Sequence, residues 1–172
     1  MSQPAERLAD SGPVVSLAAE TVGPVRAGIA PRVLESRRFG QVEIYPDQLL
    51  SFPYGLLGFE ELHEFCIVAH EPLQPLTFLV ACEVSEVAFP ILPAWTCLAD
   101  YAPTLPAEAL EAVGAASPDT LTLLAICAVA PDTMTLHANL RGPLLINPAT
   151  RRGYQAVLQD SPYSLRHLLG AA

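Results

Sequence analysis

The stretch TLTLLAICAVA at residues 120–130, followed by TMTLHANL at residues 133–140, decides the fold class of this chain. The first segment is an apolar run in which threonine alternates at the start, and it predicts a buried central strand. The second segment alternates apolar and polar residues, with Met134, Leu136, Ala138 and Leu140 on its apolar face.

Further short apolar runs predict more strands. They lie at residues 39–45, 64–70, 75–84, 86–92, 142–148 and 153–160. One helix interrupts them at residues 104–114, where Pro106 suits the first turn and Gly114 suits the left-handed C-terminal position. Short strands, many turns and one short helix predict a mainly β fold, an antiparallel barrel or sandwich.

The chain divides into two parts of different character. Residues 1–36 hold Pro, Gly, Ser and Ala without sustained periodicity, so we predict a disordered N-terminal extension there. Residues 37–172 form the predicted folded domain. No apolar run reaches the ~18 residues that a membrane span needs, and the N-terminal residues include acids where a secretory signal has cations. We therefore expect a cytoplasmic protein without a membrane segment.

Charge is distributed unevenly. Between Phe39 and Leu140 there are thirteen acidic residues and no Lys or Arg, and residues 39–172 carry four Arg against fourteen acids. Phosphate contacts need a cationic face, so direct binding of nucleic acid is not expected. An acidic surface attracts a basic protein partner, or it simply keeps an apolar-rich chain soluble, and charge alone leaves both explanations open.

The residue patterns of common catalytic and metal sites are missing. There is no phosphate-binding loop, nucleophile elbow or metalloprotease motif. The acidic pairs Glu60–Glu61 and Glu83–Glu86 lie in predicted turns, where carboxylates more often keep a surface wet than act as acid and base. The cysteines form no CxxC pair, so a zinc site is not expected, and we interpret them as unpaired structural thiols. They are Cys66, Cys82, Cys97 and Cys127.

One loop is unusual in composition. The segment LLSFPYGLLGFEEL, residues 49–62, places Pro53, Gly55 and Gly58 among aromatic and large aliphatic residues. Glycine adopts backbone angles that other residues avoid, so this segment is a shaped apolar turn rather than a loose loop. Either its aromatic residues plug one end of a barrel, or it is a docking surface, because a long apolar loop is costly to expose.

Three segments together resemble the FliW family of flagellar assembly factors. They are FGQVEIYPDQLLSFPYGLLGFEELHEF, LADYAPTLPAEALEAVG and ANLRGPLLINPATRRGYQAVLQDSPYS, within about residues 38 to 167. The turn at residues 52–60 and the run at residues 139–155 are the most specific parts. The resemblance implies a non-enzymatic cytoplasmic protein with a small antiparallel β-barrel-like fold and no cofactor. It also implies two partners, flagellin and the RNA-binding translational repressor CsrA.

We predict that the partner surface is formed by these two motifs together with two acidic residues between them. Its candidate residues are Phe52, Pro53, Gly55, Leu56, Gly58, Phe59, Glu60, Glu83, Glu86, Asn147, Arg151 and Arg152. Two interpretations of Arg151 and Arg152 are open. Either one of them ties its turn to a carboxylate such as Asp160, or both contact a helical partner. Two rival functions remain: a small-ligand-binding β-barrel, and a FliW homologue whose altered residues 83–97 suit another protein partner.

Overall fold

The computed structural model describes residues 29–171 of the chain. This part contains ten strands, two α-helices and several short 3₁₀ turns. The strands are β1 (Arg32–Ser36), β2 (Gly40–Ile44), β3 (Leu50–Ser51), β4 (Glu64–Ala69), β5 (Thr77–Ala81), β6 (Ala88–Pro93), β7 (Thr122–Ala130), β8 (Thr135–Asn147), β9 (Arg152–Gln155) and β10 (His167–Ala171). The helices are α1 (Ala94–Cys97) and α2 (Ala107–Val113).

Eight of these strands form one sheet, in the order β10-β8-β7-β6-β5-β4-β3-β9. Strand β9 also pairs with β8, so the seven strands other than β10 close into a barrel. Every pairing in it is antiparallel except that of β3 with β9, where Ser51 lies opposite Arg152 in parallel. The predicted fold, a mainly β barrel with one short helix, is confirmed, and the parallel pair that closes it is the departure from a purely antiparallel sheet.

Inward-pointing side chains fill the barrel. They come from alternate positions of each strand and from the loop after β3, and they are large and apolar. The fully buried ones include Phe52, Phe65, Leu79, Ile91, Leu144 and Ile146. Burial of side chains of this size contributes roughly 1.5–3 kcal/mol each, which makes the interior the main source of stability.

The outer face of the barrel is covered in three places. The β1–β2 hairpin covers the outer residues of β4 and β5, helix α1 and strand β10 cover those of β7 and β8, and helix α2 covers the C-terminal half of β8. The buried outer residues include Cys66, Val80, Ala125, Cys127, Ala138 and Leu145. Because both faces of β5 are buried, its sequence is a continuous apolar run rather than an alternating pattern.

Strand β8 contains a bulge over residues 140–143. A step of two residues along β7 there matches a step of five residues along β8. The side-chain oxygen of Asn139 accepts hydrogen bonds from the amides of Arg141 (3.1 Å) and Gly142 (2.8 Å), and so fixes the bulge. The sequence predicts two strands here, one ending at Leu140 and one beginning at Gly142, yet the backbone continues as one strand.

The structure has a strand just before the predicted domain boundary at residue 36. Arg32–Ser36 forms β1 and pairs with β2 along its whole length. The side chain of Leu34 is buried between the hairpin and the barrel. The Arg32 guanidinium lies 3.0 Å from the carboxylate of Glu64. These contacts join residues far apart in the chain, so the local pattern of β1 does not reveal them. Residues 1–28 lie outside the described part, and the predicted extension there stays a prediction.

Helix α2 confirms the predicted helix and its end. Pro106 lies just before the first helical residue rather than inside the first turn. Gly114 has the predicted left-handed conformation, with φ 66° and ψ 40°. Ala109 and Val113, four residues apart, are fully buried against the barrel.

Candidate partner-binding surface

The loop after β3 is a compact turn whose backbone is hydrogen-bonded to itself. The amide of Gly55 donates to the carbonyl of Phe52 (2.9 Å), and Leu56 and Phe59 exchange amide-to-carbonyl hydrogen bonds of 3.3 and 2.8 Å. Gly55 and Gly58 have positive φ angles of 63° and 81°, which confirms that the glycines shape this turn. A residue with a side chain is strained in that conformation.

The two glycines differ in the space around them. A Cβ atom added to Gly55 would lie 2.5 Å from the carbonyl oxygen of Phe59 and 2.6 Å from the Cα of Glu60. A Cβ atom added to Gly58 would have no atom within 4 Å. The loop therefore requires Gly55 for both conformation and space, and Gly58 for conformation alone.

Phe52 plugs the barrel beneath this loop. Its ring is fully buried and packs edge to face on Phe65, with 5.0 Å between the ring centroids. A Cβ atom on Gly153 would lie 2.1 Å from the Phe52 ring, so β9 needs a glycine where the ring crosses it. Gly55 and Leu56 are buried as well. Phe52, Gly55 and Leu56 build the barrel end from inside, and their predicted contact with a partner stays a prediction.

The two specific motifs lie side by side in the structure. The amide of Ser51 donates to the carbonyl of Arg151 (2.9 Å) where β3 meets β9. The amide of Leu57, at the tip of the loop, donates to the side-chain oxygen of Gln155 (3.0 Å). These hydrogen bonds join residues about a hundred positions apart, so the two motifs form a single structural unit.

Arg151 stabilises its turn through a backbone carbonyl. It has a positive φ of 55°, and its guanidinium donates to the carbonyl of Pro46 (3.2 Å). The predicted tie to Asp160 is therefore wrong, because a backbone carbonyl takes the place of the carboxylate. Arg141, in the same motif, is used in a similar way, since its Nε donates to the carbonyl of Leu158 (3.1 Å). Arg152 is exposed.

Asn147 holds helix α2 on the barrel. Its side-chain amide donates to the carbonyls of Val113 (3.0 Å) and Gly114 (3.3 Å) at the end of the helix. Its side-chain oxygen accepts from the amide of Ala149 (3.0 Å) and shapes the turn before β9. The side chain is only 4% exposed. Asn147 therefore caps helix α2, and its predicted contact with a partner stays a prediction.

The accessible part of the two motifs forms a small apolar patch, which we call the tyrosine–leucine surface. It consists of Pro53, Tyr54, Leu57, Gly58 and Glu60 from the loop, with Arg152 and Tyr154 from β9. Tyr54 and Leu57 are 65% and 61% exposed. The Tyr54 ring packs edge to face on Tyr154, with centroids 5.8 Å apart. Exposed aromatic and aliphatic side chains on an ordered backbone are typical of recognition sites.

Carboxylates lie close to this surface. The Glu60 carboxylate accepts from the amide of Gly58 (2.9 Å), and hydrogen bonds from the Gly58 and Glu60 amides lower the pKa of Glu60. Partial burial, with the nearby charge of Glu108 and the Tyr54 phenol, raises the pKa of Tyr154. The surface is therefore apolar at its centre and negative at this side.

Glu83 and Glu86 are engaged with backbone amides rather than with each other. The Glu83 carboxylate accepts from the amides of His63 and Glu64, each at 3.0 Å. Partial burial alone would raise the pKa of Glu83, but hydrogen bonds from these amides and its own lower it overall. The Glu86 carboxylate accepts from the amide of Arg37 (3.3 Å). Glu83 thus stabilises His63 and Glu64, which follow the loop in the chain, and Glu86 contacts the end of β1.

The described residues give little support for a metal site, a membrane span or a ligand site inside the barrel. Within residues 29–171, no group of three or more His, Cys, Asp or Glu side chains could hold a metal ion. In the same range, no helix is long and apolar enough to cross a membrane. The barrel interior is packed with apolar side chains, which argues against a small-ligand-binding barrel. A surface groove of about 770 Å³ lies outside the barrel between residues 102–108 and 157–163, away from the predicted residues.

The fold is a closed β-barrel with a filled interior, and its two most specific motifs meet at one exposed patch. These features define a class of protein that offers a shaped surface to partners. The family model for FliW protein matches residues 33–169. The flagellar assembly factor FliW of Thermotoga neapolitana is 34% identical over 135 residues, which cover 78% of this chain and 91% of the relative. That of Moorella thermoacetica is 37% identical over 133 residues, which cover 77% of this chain and 84% of the relative.

A crystal structure of the flagellar assembly factor FliW has the same fold. It superposes with a TM-score of 0.74 at 24% sequence identity, and the match covers 82% of this chain and 99% of that one. The chain belongs to the FliW family.

Proposed function

We propose that this protein is a flagellar assembly factor that works by binding two proteins, flagellin and a CsrA-type RNA-binding repressor. The observation that carries the proposal is the family match over residues 33–169. The tyrosine–leucine surface supports it, because the exposed residues of the two most specific motifs lie there together. The proposed action needs no catalysis, cofactor, membrane or direct contact with nucleic acid.

Binding of the repressor would keep it from silencing flagellin messenger RNA. When flagellin accumulates, it would capture this protein and free the repressor, so that synthesis follows assembly. A protein that binds RNA presents a basic surface, and this chain carries thirteen acids and no Lys or Arg between Phe39 and Leu140. Opposite charges would accelerate the encounter of the two proteins.

Binding measurements with purified partners from the same organism test this proposal. We expect the full chain to bind the repressor and flagellin, each measured by titration calorimetry. The association rate with the repressor should fall as salt rises from ~0.05 to ~0.5 M, because exposed charges are screened over ~10 Å at 0.1 M. Absence of binding to the repressor at every salt concentration would overturn the repressor part and leave flagellin or another partner.

A second measurement distinguishes two ways of opposing the repressor. If this protein weakens the affinity of the repressor for RNA, then RNA weakens the affinity of the repressor for this protein by the same factor. Steric competition gives the same reciprocity, so the deciding observation is a ternary complex. A detectable complex of protein, repressor and RNA supports indirect coupling, and strict exclusion at saturation means that the two sites overlap.

A further inference from the structure

The groove of about 770 Å³ outside the barrel has two walls. One wall is residues 102–108, which lead into helix α2, and the other is residues 157–163, which follow strand β9. A site of this size holds a drug-sized ligand, which corresponds to a short stretch of polypeptide rather than to a folded domain. The sequence does not reveal the groove, because its walls are far apart in the chain.

The two walls are held together by tyrosine side chains. The amide of Ala102, in one wall, donates to the hydroxyl of Tyr163 in the other (3.1 Å). The Tyr163 ring packs on the ring of Tyr101, with 4.6 Å between the centroids. The buried hydroxyl of Tyr101 donates in turn to the carbonyl of Leu140 in β8 (2.7 Å). The groove is therefore formed before a ligand arrives, which lowers the entropic cost of binding.

Apolar side chains line both walls. Val157 is 48% exposed in one wall, and Leu105 is half-buried in the other. Pro103 and Pro162 add apolar surface whose backbone is restricted. A ligand with an apolar side chain would remove this surface from water, which favours binding.

Both charged side chains that line the groove are acidic. Glu108 is exposed in the first turn of α2, and Asp160 is exposed in the opposite wall. Neither carboxylate forms an ion pair within residues 29–171. The Arg141 guanidinium donates to the carbonyls of Leu158 and Gln159 and does not line the groove. Opposite charges attract across an interface, so the groove favours a cationic ligand and repels an anionic one.

Tyr154 links the groove to the tyrosine–leucine surface. Its ring packs edge to face on the exposed ring of Tyr54, and it also packs on the same buried cluster as Leu105, which lines the groove. Partial burial and the nearby charge of Glu108 raise the pKa of Tyr154, in keeping with the closeness of the groove. A partner segment that lies on Tyr154 can therefore continue into the groove.

We propose that the groove binds a short cationic segment of a partner protein. An apolar side chain of this segment covers Val157 and Leu105, and Lys or Arg side chains on either side of it pair with Glu108 and Asp160. The inference rests on the proposed function only in that the segment belongs to a protein that this chain binds. Its test uses peptides, so a failure of the groove and a failure to bind flagellin or the repressor are separate results.

The test selects random dodecapeptides, displayed on phage, against the full-length protein at ~0.15 M salt. Enriched peptides are synthesised, and their affinities are measured by titration calorimetry. We expect these peptides to carry Lys or Arg on both sides of an apolar residue. Glu108→Lys should weaken their binding at least tenfold. Glu111→Lys, a matched change on the same helix but outside the groove, should weaken it less than twofold.

A second pair of variants tests the apolar contact. Val157→Ser should weaken the binding of the same peptides at least fivefold. Val129→Ser, at a valine that is 45% exposed on β7 and outside the groove, should change it less than twofold. Thermal denaturation verifies that each variant is folded.

Four results would overturn the proposal. The first is no enrichment of any peptide, and the second is enrichment of peptides without Lys or Arg. The third is equal weakening by Glu108→Lys and Glu111→Lys, which would mean that net charge rather than the groove attracts the peptides. The fourth is equal affinity of the Val157→Ser and Val129→Ser variants.

Discussion

At the scale of single residues, Gly55 and Gly58 have the same left-handed backbone conformation but different surroundings. Gly55 lies against the backbone of Phe59 and Glu60, whereas Gly58 faces open space. The comparison separates two costs of adding a methyl group: backbone strain, common to both positions, and a collision with fixed atoms, present at one. A neighbouring motif has a further case of collision alone, since the Phe52 ring leaves no room for a side chain at Gly153.

Substitution of each loop glycine by alanine tests this separation. We expect Gly58→Ala to lower the free energy of unfolding by roughly 1–2 kcal/mol, the cost of a left-handed conformation for a residue with a Cβ. Gly55→Ala should cost at least about 2 kcal/mol more, because the new atom overlaps backbone. Urea denaturation of both variants measures the difference. Equal costs would show that the space around Gly55 adjusts without penalty.

Glu83 should make stability depend on pH in the acid range. Its pKa is lowered in the folded state, so its contribution is present above the unfolded-state pKa of ~4.3 and is lost as pH falls through the folded-state pKa. We expect Glu83→Gln to cost no more than about 1 kcal/mol at pH 7, because the carboxylate is exposed.

Denaturation of the Glu83→Gln variant between about pH 6 and pH 3 checks this prediction. The variant should lose less stability over that range than the native sequence does. Glu61→Gln, a change at an exposed carboxylate of the neighbouring loop, serves as the matched control against which the effect of Glu83→Gln is compared. A Glu83→Gln profile parallel to that of the native sequence would contradict the account.

At the scale of elements, the sequence pattern predicts those strands and helices that are stabilised by contacts within their own segment. The apolar runs of the central strands and the proline and glycine at the ends of α2 are visible in the sequence, and both elements are present. Strands β1 and β10 are not predicted, because each has only five residues. Strand β10 pairs with the distant strand β8, and the β1–β2 hairpin is held on the barrel by contacts with residues far along the chain. The guanidinium of Arg32, for example, donates to the carbonyl of Cys82, fifty positions away.

The role of β1 can be tested with two truncations. Deletion of residues 1–36 removes β1 and uncovers the cluster that contains Cys66 and Val80, so we expect a loss of more than about 3 kcal/mol. Deletion of residues 1–28 should change stability by less than about 1 kcal/mol, in keeping with the predicted extension. Thermal and urea denaturation measure both. Equal stability of the two truncated proteins would show that β1 contributes nothing.

At the scale of the whole molecule, closure of the barrel decides which residues of the candidate surface are accessible. The sequence locates both motifs, but it selects Phe52, Leu56 and Asn147, whose side chains closure buries. It passes over Tyr54 and Leu57, which closure exposes. The alternation of buried and exposed residues in the loop depends on two left-handed glycines and on hydrogen bonds to β9, and neither is encoded in a periodic pattern.

The overall charge of the molecule should affect the rate at which it associates with the repressor. Reversal of single charges tests this expectation. Glu61 is exposed beside the loop, and Asp132 is exposed in the β7–β8 turn. We expect Glu61→Lys to slow association with the repressor several-fold at ~0.05 M salt and Asp132→Lys to slow it less, with both effects small at ~0.5 M salt. Stopped-flow kinetics measure the rates. Glu83 is unsuitable for reversal because its carboxylate accepts two backbone amides.

The central claim is that the two motifs build one partner-binding surface. The most direct measurement compares the affinity of the repressor for Leu57→Ser and Leu168→Ser, two leucines that are 61% and 59% exposed but lie on different elements. Neither change disturbs the barrel interior. We expect Leu57→Ser to weaken binding at least tenfold, about 1.4 kcal/mol, and Leu168→Ser to change it less than twofold. Unchanged affinity for Leu57→Ser, or a larger loss for Leu168→Ser, would contradict this claim.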